Sequence, residues 1–322
     1  MDRKEIIKAN LENCLVETDI GWLGRKKRSK VRDTYEAGDK LVLVTTDRQS
    51  AFDRVLASVP FKGSILNLSS AWWFEQTEDI VPNHVLAVPD PNVTVGKKCT
   101  VFPVEFVIRG FLTGVTFTAV WTAYEKGERE FGGNVLPEGM KKNQKFDKPI
   151  ITPTTKLDEH DEKISAEEII SRGLMSREDW DTMADLTQQL FARGQELAAS
   201  AGLILVDTKY EFGKDENGQI TLIDEIHTPD SSRWWMQGSY EERFNGGEEP
   251  EYFDKEFLRL WFSEHCDPYN DPELPPAPEE LVIELSSRYI DIYERITGES
   301  FEFPEGDINE RIEGNLREYF GK

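Results

Sequence analysis

Val206-Asp207-Thr208-Lys209-Tyr210-Glu211-Phe212-Gly213 sets three ionisable side chains on alternate residues of a β-branched and aromatic run, and Ile223-Asp224-Glu225 follows the polar stretch Lys214-Asp215-Glu216-Asn217-Gly218-Gln219. Alternate residues of a strand share a face, so Asp207, Lys209 and Glu211 point one way and Val206, Tyr210 and Phe212 the other. The polar stretch reads as a hairpin turn with a four-residue loop, Asp215 to Gly218, and Gly218 free to take positive φ. With Lys214 facing Gln219, Lys209 faces Asp224, and Glu211 lies diagonally from Asp224, near enough to share a cation, while Ile223 joins the core side. A slip of one residue would undo this. Alternating charge is commonly a solvated face whose salt bridges contribute about 0–1 kcal/mol each. Here Leu203-Ile204-Leu205-Val206 and Leu222-Ile223 are apolar on both faces, which places the charges at the end of a buried strand pair. Buried carboxylates of like sign need a cation, and a lysine together with Mg²⁺ on nucleotide phosphates would supply it.

The chain of 322 residues is long enough for two domains or one large one. Cys14, Cys99 and Cys266 are scattered and odd in number, which points to a reducing cytosol and to neither a disulfide framework nor a zinc site. The N-terminus mixes both charges without a signal-length apolar run, and no segment approaches the ~20 residues that cross a bilayer, so a cytoplasmic location is expected. A net charge of −23 disfavours nucleic acid and membrane surfaces as partners. Against that background Arg25-Lys26-Lys27-Arg28-Ser29-Lys30-Val31-Arg32 stands out as basic, read as a phosphate-holding loop before an apolar strand.

Lys30 to Tyr35 and Lys40 to Thr46 read as strand, turn, strand around Glu36-Ala37-Gly38-Asp39. Residues 64–80 read as a helix closed by Pro82, 101–110 as a strand, 115–126 as a helix and 132–149 as a loop. Ser165-Ala166-Glu167-Glu168 has the capping-box form, and Ser176 opens a helix whose Trp180, Met183, Leu186, Leu190 and Leu197 form one apolar stripe. Residues 236–280 show a single helical patch, 257–264, and Pro278 starts a final helix to about Thr297.

Walker, dinucleotide-binding, kinase and zinc-helix patterns are absent, so nucleotide binding needs another scaffold. The segments that carry chemistry are Lys30-Val31-Arg32-Asp33, Asp47-Arg48-Gln49-Ser50-Ala51-Phe52-Asp53, Pro103-Val104-Glu105-Phe106-Val107-Ile108-Arg109-Gly110, Thr152-Pro153-Thr154-Thr155-Lys156, His160-Asp161, the Asp207 to Gly213 strand, Asp224-Glu225, and Thr228-Pro229-Asp230-Ser231-Ser232-Arg233. In this order, from about residue 24 to 235, they resemble the phosphoribosylaminoimidazole-succinocarboxamide synthase (SAICAR synthetase) family.

The resemblance implies an α+β fold related to ATP-grasp enzymes, with antiparallel sheets, flanking helices and a helical C-terminal tail. It implies an N-terminal nucleotide-binding sheet over residues 1–100, a substrate- and Mg²⁺-binding part over 101–235 and a helical extension over 236–322. The implied activity is an ATP- and Mg²⁺-dependent ligase of purine biosynthesis, joining L-aspartate to the carboxylate of carboxyaminoimidazole ribonucleotide (CAIR) with ADP and phosphate as products. Its small-molecule partners would be ATP, L-aspartate and CAIR. By position, Lys30 and Arg32 would touch ATP phosphates, Lys209 would lie near nucleotide and substrate, and Glu211 and Asp224, with Glu105, would hold Mg²⁺. Asp47, Ser50, Asp53, Glu105 and Asp207 would surround the imidazole carboxylate, so that Lys209, Asp207 and Glu105 form the catalytic group. Arg109 and Arg233 would bind the ribose phosphate, and His160-Asp161 would order the amino-acid pocket. Two departures stand out: Ser29 where many members have Gly, and Gly114-Val115 where they have Gly-Ser, leaving Thr113 or Thr116 to supply a hydroxyl. A kinase of a small polar substrate on a related scaffold, or a non-catalytic nucleotide binder, are the rival readings.

Overall fold

Residues 2–52, 54–115, 119–156 and 162–322 are described by a computed structural model of the chain. Helix α1 (Arg3–Ala9) starts at Asp2, whose capping box with Glu5 satisfies two first-turn donors. The basic segment expected as a loop is largely a strand, β1 (Arg25–Arg28), followed by β2 (Arg32–Ala37) and β3 (Lys40–Thr45), with Gly38 at φ +68° making the tight turn between the last two. A short ribbon, β4 (Arg48–Ala51) and β5 (Arg54–Ser58), leads to α2 (Lys62–Glu75), which starts and stops earlier than residues 64–80. Strands β6 (Val85–Asp90) and β7 (Val93–Lys97) complete a five-stranded antiparallel sheet in the order β1-β2-β3-β7-β6.

The second sheet is built on β8 (Thr100–Leu112). Helix α3 (Val120–Glu125) falls within the expected 115–126, of which 116–118 lie outside the described residues. Just before the segment read as a loop comes β9 (Glu130–Phe131), and the segment itself carries β10 (Asn134–Val135) and most of β11 (Gln144–Ile151). Its polar, Lys-rich sequence hides the strand because β11 is an edge of the sheet, open to water along much of its length. Next come β12 (Thr154–Thr155), the capping-box helix α4 (Ala166–Ser171) and α5 (Arg177–Ser200), capped by Ser176. Strand β13 (Leu203–Lys214) pairs with β8 on one side and with β14 (Ile220–Ile223) and β15 (Arg233–Met236) on the other, giving β11-β8-β13-β14 with β12 on β8.

The tail is more helical than its composition indicates: α6 (Gln237–Gly246), α7 (Glu256–His265), α8 (Glu279–Thr297) and α9 (Ile308–Phe320). Helix α8 starts after Pro278 as read, but α9 follows it, opened by an Asp307 cap that sequence reading passed over.

Three apolar clusters fix the layout. One lies between the second sheet and α5, where Phe106, Tyr210 and Phe212 meet Trp180, Met183 and Leu190. A second joins the tail to the N-terminal half: Leu258, Phe262, Leu285 and Tyr289 pack with Ile7, Leu56, Ile65 and Leu66. A third closes the five-stranded sheet against α9, with Tyr35, Val42, Val44, Val93 and Val95 against Ile312 and Leu316. The sheets are pinned together where Leu222 of β14 accepts from the His84 N–H (3.1 Å) and donates to the Pro82 carbonyl (2.9 Å). That seam brings the end of β14 to the start of β2.

Candidate functional site

The hairpin register differs by one residue from the expected one: Lys214 pairs with Ile220, and Glu211 with Ile223. Paired residues share a face, so Ile223 lies on the Glu211 side, and a continued strand would send Asp224 to the opposite face. Asp224 instead leaves the strand in a left-handed conformation, φ +69°, and its carboxylate returns to the charged face. Left-handed backbone is several-fold enriched for aspartate, so the sequence can hold this turn without glycine.

Across β8 and β13, Glu105 stands directly opposite Glu211 and Arg109 opposite Asp207. Two glutamates in a cross-strand pair repel unless a cation intervenes. Lys209 Nζ does so, at 3.0 Å from Glu105, 2.5 Å from Glu211 and 3.2 Å from Asp224. Lys156, just past β12, adds a second ammonium 2.5 Å from Glu211 and 3.5 Å from Glu105. Arg32, reaching over from β2, pairs with Asp224 and lies 3.3 Å from Glu225. Among the described residues these ion pairs set three cations against four carboxylates.

Burial and these pairings together set the electrostatics. Burial raises the Glu211 carboxyl, Asp224 adds to it, and Lys209 and Lys156 compensate only in part, leaving Glu211 at about 7. Burial works the same way on Glu105, but there Lys209 and Lys156 win and hold it below its ordinary value. Asp224 is likewise buried, yet Arg32 and Lys209 draw it far down. The Lys209 ammonium loses solvation and is still held well above the ordinary lysine range by Glu211, Asp224 and Glu105. The donor set is all oxygen, which suits a hard divalent cation. Among the described residues no three such groups are already arranged as a metal cage, because the ammonium groups occupy their centre.

Four residues along the same face, or about 13 Å at strand rise, Asp207 Oδ2 accepts from Arg233 Nη1 at 2.5 Å and Arg109 Nη1 at 3.4 Å. Arg109 Nε donates to Thr152 Oγ1 at 2.9 Å. Gly114, at φ +103°, lies so close to Arg233 that a Cβ there would stand 3.2 Å from the guanidinium. The glycine lets the chain pass over this arginine pair.

The face therefore gathers Glu105, Lys209, Glu211 and Asp224 with Arg32 at one end and Asp207, Arg109 and Arg233 at the other. Asp207 belongs to the arginines rather than to the Lys209 cluster. Lys30 is exposed in the turn between β1 and β2, where its carbonyl accepts from Arg48 Nε at 3.0 Å. Ser50 is half-buried in β4, away from the cluster in sequence and sheet. Asp53, His160 and Asp161, like Thr116, lie outside the described residues. Asp47 is 1% exposed, and its oxygens accept from the Leu15 N–H (2.7 Å) and the Gly63 N–H (2.8 Å). Helix α2 has Phe61 at its N-cap and no side-chain cap of its own, so Asp47 caps its first turn from outside. Thr113 is no substitute hydroxyl at the arginine pair, since its Oγ1 is 2.6 Å from Asn143 Oδ1.

Two features escaped sequence reading as site elements. Lys156 ends the Thr152-Pro153-Thr154-Thr155-Lys156 motif, but only the β12 pairing to β8 brings it beside Glu105. Asp230 anchors a buried network with Lys62 (3.2 Å), Lys255 (2.8 Å), Gln49 (3.0 Å) and the Tyr289 hydroxyl (3.1 Å). Its members come from α2, the turn before α7, β4 and α8, so no linear spacing announces it.

These arrangements have relatives. A family model described as SAICAR synthetase matches residues 26–275. The phosphoribosylaminoimidazole-succinocarboxamide synthase of Legionella pneumophila (strain Lens) is 58% identical over 310 residues, spanning 96% of this chain and 99% of that protein. Among solved structures, the SAICAR-synthase from Saccharomyces cerevisiae complexed with SAICAR superposes with a TM-score of 0.77 at 31% identity, covering 89% of this chain and 99% of that one. A SAICAR synthetase (Type-2) in complex with ADP has a TM-score of 0.64 at 26% identity, over 87% of this chain and all of the other. By sequence over nearly its whole length, and by the fold that carries the charged face, the chain belongs to the SAICAR synthetase family.

Proposed function

We propose that the chain is the ATP-dependent ligase of purine biosynthesis that condenses L-aspartate with the carboxylate of CAIR, giving SAICAR, ADP and phosphate. The observation that carries this reading is the single sheet face with a carboxylate and ammonium cluster at one end and an arginine pair at the other. A triphosphate needs the first and a ribose phosphate the second. The yeast and ADP-bound relatives support the same pairing of ligands.

An amine does not attack a carboxylate anion at a useful rate. A carboxylate oxygen of CAIR therefore attacks the γ-phosphorus of ATP, and ADP leaves. The aspartate amine then attacks the acyl carbon, the C–N bond forms, phosphate departs and the amine loses a proton. Lys209 and Arg32, already fixed by their carboxylate partners, face the charge that develops during phosphoryl transfer without reorganising. Arg109 and Arg233 take the 5′-phosphate, and Asp207 holds both guanidinium groups in place beforehand. Glu211 and Asp224, with Glu105, are the residues that would hold Mg²⁺, since their oxygens are hard donors gathered on one face, and burial together with Asp224 raises the Glu211 carboxyl to about 7. When bound, the ion would neutralise phosphate charge. Lys156 and Lys209 are the groups whose contacts would loosen on its arrival.

No observation favours the kinase or the non-catalytic reading over ligation. The three-part division at about residues 100 and 235 stands as a proposal, with the tail bound to the N-terminal part through the cluster around Tyr289. A cytosolic location is proposed on the free thiols of Cys14, Cys99 and Cys266. Among the described residues no helix is long and apolar enough to cross a membrane.

The test is ADP formation by purified protein with each of ATP, CAIR and L-aspartate omitted in turn. Ligation predicts ADP only with all three present and SAICAR in equal amount. Full ADP release without aspartate would turn the reading towards a kinase.

A further inference from the structure

The protein carries 61 acidic against 38 basic residues, a net −23 that repels every anionic substrate of the proposed reaction at long range. Strand β1 is the local exception, and its pairing sorts its charges by face. Lys26 pairs with Tyr35 and Arg28 with Asp33, so both lie on the side closed by α9. They are held there: Lys26 is 2.7 Å from Glu17 and 3.5 Å from Asp33, and Arg28 is 3.0 Å from Glu17. Arg25 and Lys27 pair with Glu36 and Thr34, which puts them on the opposite side, the side of Arg32. Both are exposed, and neither has an ion-pair partner among the described residues. Glu36, the carboxylate of that side of β2, lies 3.6 Å from Lys98. Lys27 is two residues and one strand away from Arg32, or about 8 Å by strand rise and spacing.

We propose that Arg25 and Lys27 form an electrostatic entrance that draws the nucleoside triphosphate towards Arg32 and the carboxylate cluster. This rests on the nucleotide reading of that cluster but adds residues that touch no reacting atom. The pair acts by raising the local concentration of a polyanion next to a protein that otherwise expels it. Such an effect falls away as the Debye length shrinks from about 20 Å in dilute buffer to well under 10 Å in concentrated salt.

The test is the double variant Arg25→Glu/Lys27→Glu beside a control of equal charge change, Arg295→Glu/Arg317→Glu, whose arginines are exposed on α8 and α9. Kinetics are read at about 20 mM and about 500 mM salt, with Kd for Mg²⁺-ADP measured by calorimetry under both conditions. The expected result is a KM for ATP raised about tenfold at low salt, kcat held, a difference within about twofold at high salt and a parallel change in Kd. The control stays close to wild type. An unchanged KM and Kd at low salt, a loss equal at both salts, a fall in kcat alone, or the same effect in the control would each overturn the entrance. The Kd measurement needs no turnover. A wild type that binds nucleotide with this salt dependence but makes no SAICAR would therefore refute the proposed reaction and leave the entrance standing.

Discussion

Replacing Lys209 with Met removes the ammonium and keeps most of the side-chain volume. Its Nζ lies within 3.2 Å of three carboxylates. At an effective dielectric of about 20 each such contact is worth roughly 5 kcal/mol of Coulomb attraction, most of it offset by desolvation of the ammonium. Removing one partner of a buried ionic set costs about 3–5 kcal/mol, because the remaining charge stays buried. Lys156 still pairs with Glu211 and Arg32 with Asp224, which points to the lower end, about 3 kcal/mol. For a chain of 322 residues that is a fall in Tm of roughly 4–5 °C at pH 8. The loss must shrink at pH 5.5, where Glu211 binds a proton, and addition of Mg²⁺ must recover part of it. Turnover should drop by about 10²–10³-fold, as for loss of a group that stabilises transition-state charge. Thermal melts of wild type and Lys209→Met at both pH values, with and without Mg²⁺, are the assay. An unchanged Tm at pH 8, or a loss equal at pH 5.5 and pH 8, would refute the idea that this lysine balances an excess of buried carboxylate.

Arg109→Ala and Arg233→Ala should weaken CAIR more than ATP, read as KM for each substrate, and equal loss of both would contradict the ribose-phosphate assignment. Asp230→Asn leaves Lys62 and Lys255 buried without their counter-charge and should cost about 3–5 kcal/mol in denaturant unfolding; an unchanged midpoint would remove the network from the account. Glu211 titrates near 7 when folded against about 4.5 when unfolded, so the native state binds the extra proton between those values and stability of the metal-free protein must fall as pH rises across that window, by roughly 3 kcal/mol at most. Subtracting the pH profile of Glu211→Gln isolates this contribution from Asp47 and Asp254, which burial also raises to about 6; a difference profile that is flat or rises with pH would contradict it.

The charged face was legible because strand alternation is local: Asp207, Lys209 and Glu211 share a side whatever the rest of the chain does. The reading of Asp224 reached the right neighbours through the wrong register. A one-residue slip and a left-handed turn act in opposite directions, and neither leaves a mark in composition. Asp47 shows the converse limit. Its motif sits beside the site in sequence, yet the uncapped start of α2 claims its carboxylate, which only packing can reveal. Edge strand β11 and helices α6 and α9 were missed for a related reason: polar, half-exposed elements carry weak apolar periodicity, and their stability comes from the sheet or helices they cover. The Asp230 network joins residues up to 240 positions apart, from Gln49 to Tyr289, beyond the reach of any spacing rule.

Glu211, Asp224 and Glu105 are proposed to receive the divalent cation that accompanies the nucleotide. Electron paramagnetic resonance of Mn²⁺, used in place of Mg²⁺ and titrated into protein with ADP, tests this directly. One tight nucleotide-dependent Mn²⁺ site is expected in wild type, accompanied by proton release when binding is measured below pH 7 and weakened at least tenfold in Glu211→Gln. Undiminished Mn²⁺ affinity in Glu211→Gln, with ADP still bound, would place the cation elsewhere and contradict the account.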